Sequence, residues 1–189
     1  MVALRAAAQA VGAQVELVAT ADLQELTDTL GVLEGRRLVV LGGDGSVHAA
    51  VQGLHDSGRL RSAGPIGIVP LGTGNDLAGS LGLPTDPAEA ARAVMTGTTR
   101  QMELLVADDG QVAVNAVHVG IGAVAAVTGA GVKRVLSRVR LGRLGYPVGA
   151  VAAGLTTRGW QLRVSVDGAV LHDGQQPVLM VAMGLVLQP

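Results

Sequence analysis

Two glycine-rich turns, each lying between an apolar run and a helix-like pattern, limit the fold of this chain more than any other feature. Residues 38–41 and 66–69 are uninterrupted apolar runs, which is typical of strands covered on both faces. The turns that follow read Gly-Gly-Asp-Gly-Ser at residues 42–46 and Pro-Leu-Gly-Thr-Gly-Asn-Asp at residues 70–76. Strands that alternate with helices through short connections predict a parallel sheet with helices on its faces.

The remaining elements fall into two patterns that meet near residue 100. Before that point the spacing of apolar residues predicts helices at residues 2–11, 23–30, 47–54, 77–81 and 87–96, and a further strand at residues 15–19. After it, apolar runs predict strands at residues 102–106, 112–119, 162–166, 169–172 and 178–187. Asp109-Gly110 and Asp167-Gly168 are hairpin turn signals. We therefore predict an α/β, three-layer parallel-sheet domain over residues 1–99 and an antiparallel domain over residues 100–189.

Composition excludes several classes of function. Hydrophobic residues make up 49% of the 189 residues, so a substantial core can form, and a net charge of -1 gives no general reason to expect nucleic acid as a partner. The chain has no cysteine, which excludes disulfides, thiolate nucleophiles and cysteine metal sites, and its four scattered histidines argue against zinc. Residues 111–132 carry no formal charge, but polar residues and glycines interrupt them, so we predict a buried strand and loop there instead of a membrane span.

The first glycine-rich turn has the residue types of a phosphate site. Gly42 and Gly43 lack Cβ atoms, so the backbone there can approach a phosphate closely, and Ser46 can cap the helix that follows. The start of that helix favours an anion. Asp44 would repel a phosphate unless it holds Mg²⁺ or takes up a proton, and these are the two roles we predict for it. The alternative from this segment alone is a tight turn with a helix-capping acid.

The second glycine-rich turn offers a similar set of groups. Gly72 and Gly74 flank the hydroxyl of Thr73, and Asn75 and Asp76 supply an amide and a carboxylate at the start of the next helix. Turns that follow successive parallel strands lie side by side at the carboxyl edge of the sheet, where open α/β sheets bind their ligands. The pair of turns therefore predicts one shared phosphate-binding crevice more specifically than either turn alone.

These segments carry a recognisable resemblance. LVVLGGDGSVHAAVQGL at residues 38–54 and IGIVPLGTGNDLAGSLGLP at residues 66–84 resemble the paired GGDG and GTGND signatures of the diacylglycerol kinase family, which is related to sphingosine kinases and NAD kinases. VNAVHVGIGA, LGRLGYPVGAVAAGL and VSVDG, further along the chain, are similar to the start of that family's second domain, a β-sandwich. The resemblance covers nearly the whole chain and implies that residues 100–189 form part of such a sandwich.

The resemblance implies a lipid kinase that uses ATP and Mg²⁺ and phosphorylates a lipid with a free hydroxyl. It implies nucleotide binding by residues of both turns and by a threonine that precedes them, namely Thr20, Gly42, Gly43, Asp44, Gly45, Ser46, Val47, His48, Gly72, Thr73, Gly74, Asn75 and Asp76. Two positions depart from the family pattern: Ser46 replaces the usual threonine but keeps the hydroxyl, and Ala49 replaces a frequent acidic residue. The lipid, the metal ligands and the oligomeric state are left open.

The family pattern also extends past both ends of the sequence. It leads us to expect a first strand with an Asn-Pro turn before Met1, and the rest of the second domain, including an Asp-Gly general base, after Pro189. Residues 1–189 alone are therefore expected to be inactive as a kinase. Two other functions stay open: an NAD kinase-like or other small-molecule kinase on the same scaffold, and an inactive nucleotide-binding fragment.

A basic segment suggests how such an enzyme would reach a lipid. Residues 132, 135, 136 and 139 are apolar and recur at helical spacing. The positive charges beside them are Lys133, Arg134, Arg138, Arg140 and Arg143. A basic amphipathic helix of this kind can bind an anionic membrane surface. The alternative is a stripe that packs on the second domain with its arginines solvated. We expect a cytoplasmic protein with peripheral contact at the inner face of the membrane.

Overall fold

The computed structural model describes residues 2–33, 35–120, 159–174, 178 and 180–184. The described residues divide into two compact units, one formed by those up to Asn115 and one by those from Ala116 to Gly184. Among the helices described, none has the length and hydrophobicity that a membrane crossing requires. The basic segment at residues 133–143 lies outside the described residues, as does the LGRLGYPVGA motif.

The first unit contains five described helices and a pair of parallel strands, in addition to a short hairpin. Its elements are α1 (Val2–Ala10), α2 (Leu23–Gly31), β1 (Val39–Gly42), α3 (Asp44–Asp56), β2 (Gly67–Pro70), α4 (Asp76–Ser80) and α5 (Pro87–Thr96). β1 pairs with β2 in parallel from Val39↔Gly67 to Gly42↔Pro70. The predicted helices and the parallel pair are confirmed. The glycine-rich turns therefore leave the same, carboxyl edge of the sheet.

Helices cover both faces of this sheet. Val40 and Ile68 belong to the main apolar cluster, together with the α3 residues Val47 and Val51. On the other face, Gly67 lies against α5, since an ideal Cβ built there would be 2.8 Å from a methyl carbon of Val94. Successive residues of a strand point to opposite faces, so α3 and α5 lie on opposite sides. Helix, sheet and helix thus form three layers in this unit.

Local signals in the sequence fix where several helices begin. Asp86 accepts hydrogen bonds from the backbone N–H groups of Ala88 and Glu89, with Pro87 as the first residue of α5. Asp22 caps α2 in the same way through Glu25. Both caps satisfy backbone donors that the first helical turn leaves without partners.

One predicted strand is wrong. The structure assigns no strand at residues 15–19, where the side chains of Leu17 and Val18 are about half exposed. A strand needs a neighbour that accepts and donates its backbone hydrogen bonds, and the described residues offer this segment none. Residues 15–19 therefore have the composition of a strand but no neighbouring strand to pair with among the described residues.

A short hairpin packs on α3 and belongs to the first unit. β3 (Leu105–Val106) and β4 (Val112–Ala113) are antiparallel and are joined through the predicted Asp109-Gly110 turn, where Gly110 has a φ of 85°. The side chain of Gln52 on α3 accepts a hydrogen bond from the N–H of Val112 at 2.8 Å and donates to the carbonyl oxygen of Gly110 at 3.0 Å. These contacts tie residues beyond 100 to the first unit. The division into a nucleotide-binding domain and a sandwich domain stays a prediction.

The second unit contains antiparallel ladders. β5 (Ala116–Gly120) pairs with β8 (Met180–Gly184), and β6 (Arg163–Val166) pairs with β7 (Ala169–Asp173). The β6–β7 connection is the predicted Asp167-Gly168 turn, with φ angles of 50° and 82°. Positive φ at both central residues is the requirement of the hairpin turn that matches strand twist. The antiparallel character predicted for this region is confirmed over these strands.

Candidate functional site

The first glycine-rich turn is the junction between β1 and α3. Gly43 is the N-cap of α3, and its carbonyl oxygen accepts hydrogen bonds from the N–H groups of Ser46 at 3.0 Å and Val47 at 3.2 Å. Because glycine has no side chain, no capping group covers the end of this helix. The N–H groups of Asp44 and Gly45 have no acceptor within the helix, and the helix dipole adds positive potential there.

Ser46 does not have its predicted role. We expected its hydroxyl to cap α3, but the cap residue is Gly43 and Ser46 lies inside the first helical turn. Its side chain lies over Gly42, because an ideal Cβ on that glycine would overlap the Ser46 hydroxyl oxygen. Gly42 therefore leaves the room that this serine occupies. Ser46 is exposed at the end of the helix that the turn leaves uncapped.

The second glycine-rich turn is closed by its own asparagine. Asn75 has a left-handed backbone, with φ 56° and ψ 41°, which asparagine tolerates better than most residues. Its side chain accepts a hydrogen bond from the N–H of Gly72 at 2.9 Å and donates to the Gly72 carbonyl oxygen at 2.8 Å. Since this side chain turns back into its own loop, it makes no cap for α4.

Asp44 supplies the cap that Asn75 does not. One carboxylate oxygen accepts a hydrogen bond from the N–H of Asp76 at 3.1 Å, and the other accepts from the N–H of Leu77 at 2.9 Å. A residue of the first turn thus caps the helix that follows the second turn. This bridge over 32 and 33 sequence positions was missed, because capping patterns in a sequence relate only near neighbours.

The two turns also touch directly through glycines. An ideal Cβ on Gly72 would lie 2.6 Å from the Cα of Gly43, and one on Gly43 would lie 3.0 Å from the Cα of Gly72. Only residues without side chains allow backbones to approach so closely. The glycines at these two positions are therefore required by packing between the turns, in addition to the approach of a phosphate that the sequence suggests.

The outer surface of the paired turns is open to a ligand. Gly45, Ser46, Thr73, Gly74 and Asp76 are exposed. The cavity beneath these turns has a volume of only about 10 Å³, enough for about one water molecule. A molecule of nucleotide size would therefore lie over the turns and not within a preformed pocket.

Three predicted nucleotide-binding residues have other surroundings. Val47 is 4% exposed and packs in the core, and its N–H bonds to Gly43. His48 Nε2 donates a hydrogen bond to the carbonyl oxygen of Val112 at 2.8 Å, so its ring holds the β3–β4 hairpin. Thr20 is exposed, and no hydrogen bond among the described residues joins it to either turn. We leave all three out of the site proposed below.

A magnesium ion at this surface would have few described protein ligands. The described residues contain no group of three or more histidine, aspartate or glutamate side chains suited to a metal ion. Mg²⁺ in such enzymes is usually bound by one or two carboxylates together with substrate phosphates and water. Asp76 fits this limited role, because its side chain is exposed and both it and Asp44 place a carboxylate oxygen near Gly74. An ideal Cβ on Gly74 would be 3.7 Å from an oxygen of Asp76 and 3.4 Å from an oxygen of Asp44.

Comparison with known protein families decides the assignment of the chain. Residues 2–107, more than half of the sequence, match the family model described as the diacylglycerol kinase catalytic domain. The chain belongs to the diacylglycerol kinase catalytic domain family. The matched residues include both glycine-rich turns and the Asp44 bridge between them.

Curated relatives of this diacylglycerol kinase-family chain are lipid kinases by name. A probable lipid kinase YegS-like protein of Stenotrophomonas maltophilia is 34% identical over 120 residues, which are 61% of this chain and 37% of that protein. A similar protein of Chromohalobacter salexigens is 42% identical over 69 residues, which are 36% of this chain and 22% of that protein. A diacylglycerol kinase of Mycobacterium tuberculosis is 44% identical over 68 residues, or 35% and 20% of the two chains.

Solved structures of the family share the fold. A diacylglycerol kinase from Bacillus anthracis is matched with a TM-score of 0.66 at 22% identity, over 96% of this chain and 55% of that one. A second solved chain from the same organism is matched with a TM-score of 0.71 at 24% identity, over 96% and 57%. The family-member chain thus spans about half the length of these structures, and between a fifth and two fifths of the curated relatives described above.

Proposed function

We propose that this chain forms the ATP-binding part of a lipid kinase, in which the γ-phosphoryl group of ATP passes to the hydroxyl of a lipid. Membership of the family supports the class of reaction, and the names of the relatives support a lipid as the acceptor. The paired turns support the position of the nucleotide phosphates, over the uncapped end of α3 and next to Thr73.

The chain's own groups would act by positioning and by charge. The N–H groups of Asp44 and Gly45 would donate to phosphate oxygens, with the hydroxyls of Ser46 and Thr73 as further donors. Bound Mg²⁺ would supply charge neutralisation on those oxygens, with Asp76 as its proposed protein contact. Asp44 would fix the second turn relative to the first, in place of the Mg²⁺ or proton role that the sequence suggested. We assign no general base to the described residues.

The observation that mainly supports this proposal is the presence of glycine at position 45. It lies in the first turn of α3, yet an ideal Cβ there would have no neighbour within 4 Å, and its φ lies outside the range that favours glycine. Glycine inside a helix costs about 0.5–1 kcal/mol relative to alanine. Nothing in the described structure requires glycine at this position, so close approach of a ligand is the reason that we propose for it.

Replacing Gly45 with valine should weaken ATP binding without harming the fold. The branched side chain would extend into the space over the α3 end, where the phosphates are proposed to lie. We expect the dissociation constant for Mg–ATP to rise about tenfold or more, a loss of about 1.4 kcal/mol, with the free energy of unfolding unchanged or slightly raised. Isothermal titration calorimetry and urea unfolding measure the two quantities.

Gly79→Val is the matched control for this experiment. Gly79 also lies in a helix with open space around its Cβ position, but near the end of α4 that faces away from the turns. Its substitution should leave ATP affinity within about twofold of the parent value. Equal weakening by both variants, or parent affinity in Gly45→Val, would contradict the proposed phosphate position.

The acceptor is tested separately from the nucleotide. Two proteins are compared: residues 1–189, and the protein encoded by any longer reading frame that contains them. Each is incubated with γ-labelled ATP and, in parallel, with diacylglycerol in mixed micelles, sphingosine in mixed micelles, or NAD in solution. Label in a lipid product supports the lipid kinase. Label only in NADP would contradict it and favour the NAD kinase-like alternative, and absence of any product from the longer protein would favour a nucleotide-binding role without catalysis.

The basic segment is proposed as the membrane contact of the enzyme. Replacing Arg134, Arg138 and Arg140 with glutamine should weaken binding to anionic vesicles by more than about tenfold at low salt, since each basic group near such a surface contributes about 1 kcal/mol. ATP affinity should not change. The matched control removes the same charge from exposed arginines elsewhere, in Arg5→Gln, Arg92→Gln and Arg100→Gln combined. Co-sedimentation of the segment variant at the parent level would show that this segment is not the contact.

A further inference from the structure

A second cavity lies at the opposite edge of the sheet from the glycine-rich turns. Its volume is about 460 Å³, within the range of small-molecule sites. Most of its lining belongs to the segments that lead into the two strands, namely residues 33, 35–37, 59 and 62–65. Those segments precede the amino ends of β1 and β2, whereas the turns follow the carboxyl ends. A four-residue strand is about 13 Å long, so this cavity is separate from the proposed ATP surface.

Three arginines line this cavity. They are Arg36 and Arg37, just before β1, and Arg59, just after α3. Across residues 33–37 and 59–65 the sequence carries four arginines and one glutamate, Glu34, which lies outside the described residues. The only described carboxylate paired with these arginines is that of Glu16, which forms an ion pair with Arg36. The lining is therefore positively charged in a chain whose overall charge is close to zero.

Contacts among the described residues use only part of the hydrogen-bonding capacity of these arginines. Arg37 donates from one Nη1 nitrogen to the carbonyl oxygen of Val94 at 3.3 Å. Arg59 uses its Nη1 on the last carbonyls of α2, those of Leu30 and Gly31. A guanidinium carries five N–H donors, so the remaining Nη2 and Nε groups have no partner in the described structure. The Arg36–Glu16 pair is more than half exposed on both sides, and exposed ion pairs contribute only about 0–1 kcal/mol.

From this geometry we infer that the cavity binds a compound with a phosphate group. Guanidinium groups match phosphate oxygens with two parallel hydrogen bonds, and three of them around one opening favour a multiply charged anion over a single carboxylate. Ser62, exposed on the rim, adds a hydroxyl. The ligand is either a free phosphate compound or the phosphate headgroup of a lipid. This second site lies at the edge of the sheet away from the ATP surface and does not depend on the kinase proposal.

The test compares the parent chain with Arg36→Gln/Arg37→Gln. Inorganic pyrophosphate is titrated by calorimetry, and phosphatidylcholine vesicles with or without phosphatidic acid are co-sedimented with each protein. Because the glycine-rich turns are the same in both proteins, a difference between them reports the arginine cavity. We expect pyrophosphate affinity to fall about tenfold or more in the double variant, with ATP affinity unchanged. Binding to phosphatidic acid that falls in parallel identifies a headgroup as a source, and pyrophosphate binding alone identifies a free phosphate compound.

Arg61→Gln is the matched control, since Arg61 lies in the same loop as Arg59 but does not line the cavity. It should bind both probes within about twofold of the parent, because Arg61 is exposed and an exposed charge contributes little to an ion pair. If the double variant proves unfolded by circular dichroism, Ser62→Asp places a negative charge on the rim and should abolish pyrophosphate binding. The inference is overturned if the parent binds neither probe, if the cavity variants bind like the parent, or if Arg61→Gln is weakened equally.

Discussion

Replacing Gly72 with alanine is expected to separate the two glycine-rich turns. The new Cβ would lie 2.6 Å from the Cα of Gly43 and 2.8 Å from the Asn75 side-chain oxygen, and the first of these is a backbone atom that cannot rotate away. Overpacking of this kind typically costs about 1–3 kcal/mol, and we expect the upper part of that range in the free energy of unfolding, with Gly72→Val worse than Gly72→Ala. ATP binding should fall with it, since both turns contribute to the proposed phosphate surface.

Alanine variants at three glycines of the turns should differ in stability in a defined order. Gly43→Ala brings its Cβ to 3.0 Å from the Cα of Gly72, so it should cost less than Gly72→Ala, roughly 1–2 kcal/mol. Gly45→Ala has free space and should be neutral or stabilising by up to about 1 kcal/mol. Urea unfolding of the three alanine variants measures the order directly. Equal stability of the Gly72 and Gly45 variants would mean that the turns do not pack as closely as described.

The sheet and the position of the turns could be predicted because local signals determine them. The strands predicted at residues 38–41 and 66–69 each differ by one residue from those in the structure. A short apolar run that ends at a turn is typical of a buried strand in an α/β chain. Helix α5 begins where Asp86 and Pro87 place it. In each case the residues that specify the element lie within four positions of it, which is the range that sequence patterns describe reliably.

Features that depend on distant partners could not be predicted in the same way. The segment at residues 15–19 has the composition of a strand, but pairing decides whether a strand forms. The family resemblance implies a nucleotide contact for His48, whereas its ring bonds to Val112, 64 positions along the chain. Gln52 has no role visible in the sequence, and its amide is matched to the backbone of the hairpin only by the fold.

The candidate site illustrates both cases within a few residues. Glycines at residues 42, 43, 72 and 74 mark a close backbone approach, and this was recognised from the sequence. The sequence predicts that these glycines approach a phosphate, whereas the structure shows that Gly43 and Gly72 also approach each other. The hydrogen bonds from Asp76 and Leu77 to Asp44 escape prediction for the same reason, and the Mg²⁺ or proton role of Asp44 stays a prediction. A carboxylate next to a phosphate turn suggests a metal or a proton when only its neighbours in sequence are considered.

Replacing Asp44 should test the bridge between the turns directly. Asp44→Ala removes two hydrogen bonds to a charged acceptor and leaves the partly buried N–H of Leu77 without a partner. Such bonds contribute about 1.5–3 kcal/mol each when they are net favourable, and with partial solvent exposure we expect a total loss of roughly 2–4 kcal/mol in the free energy of unfolding. ATP affinity should fall about tenfold or more, because the second turn loses its alignment with the first.

Two further variants separate a positioning role from a chemical one. Asp86→Ala removes a carboxylate that also accepts two backbone N–H groups, but at the start of α5, away from the turns. It should cost about 1 kcal/mol and leave ATP binding unchanged. Asp44→Asn keeps one acceptor oxygen but directs an amide N–H₂ toward a backbone donor, so its stability should lie between those of the parent and Asp44→Ala. If Asp44→Asn instead unfolds like the parent and binds ATP equally well, while only turnover of the complete enzyme falls, Asp44 serves the metal or the proton and the bridge is incidental.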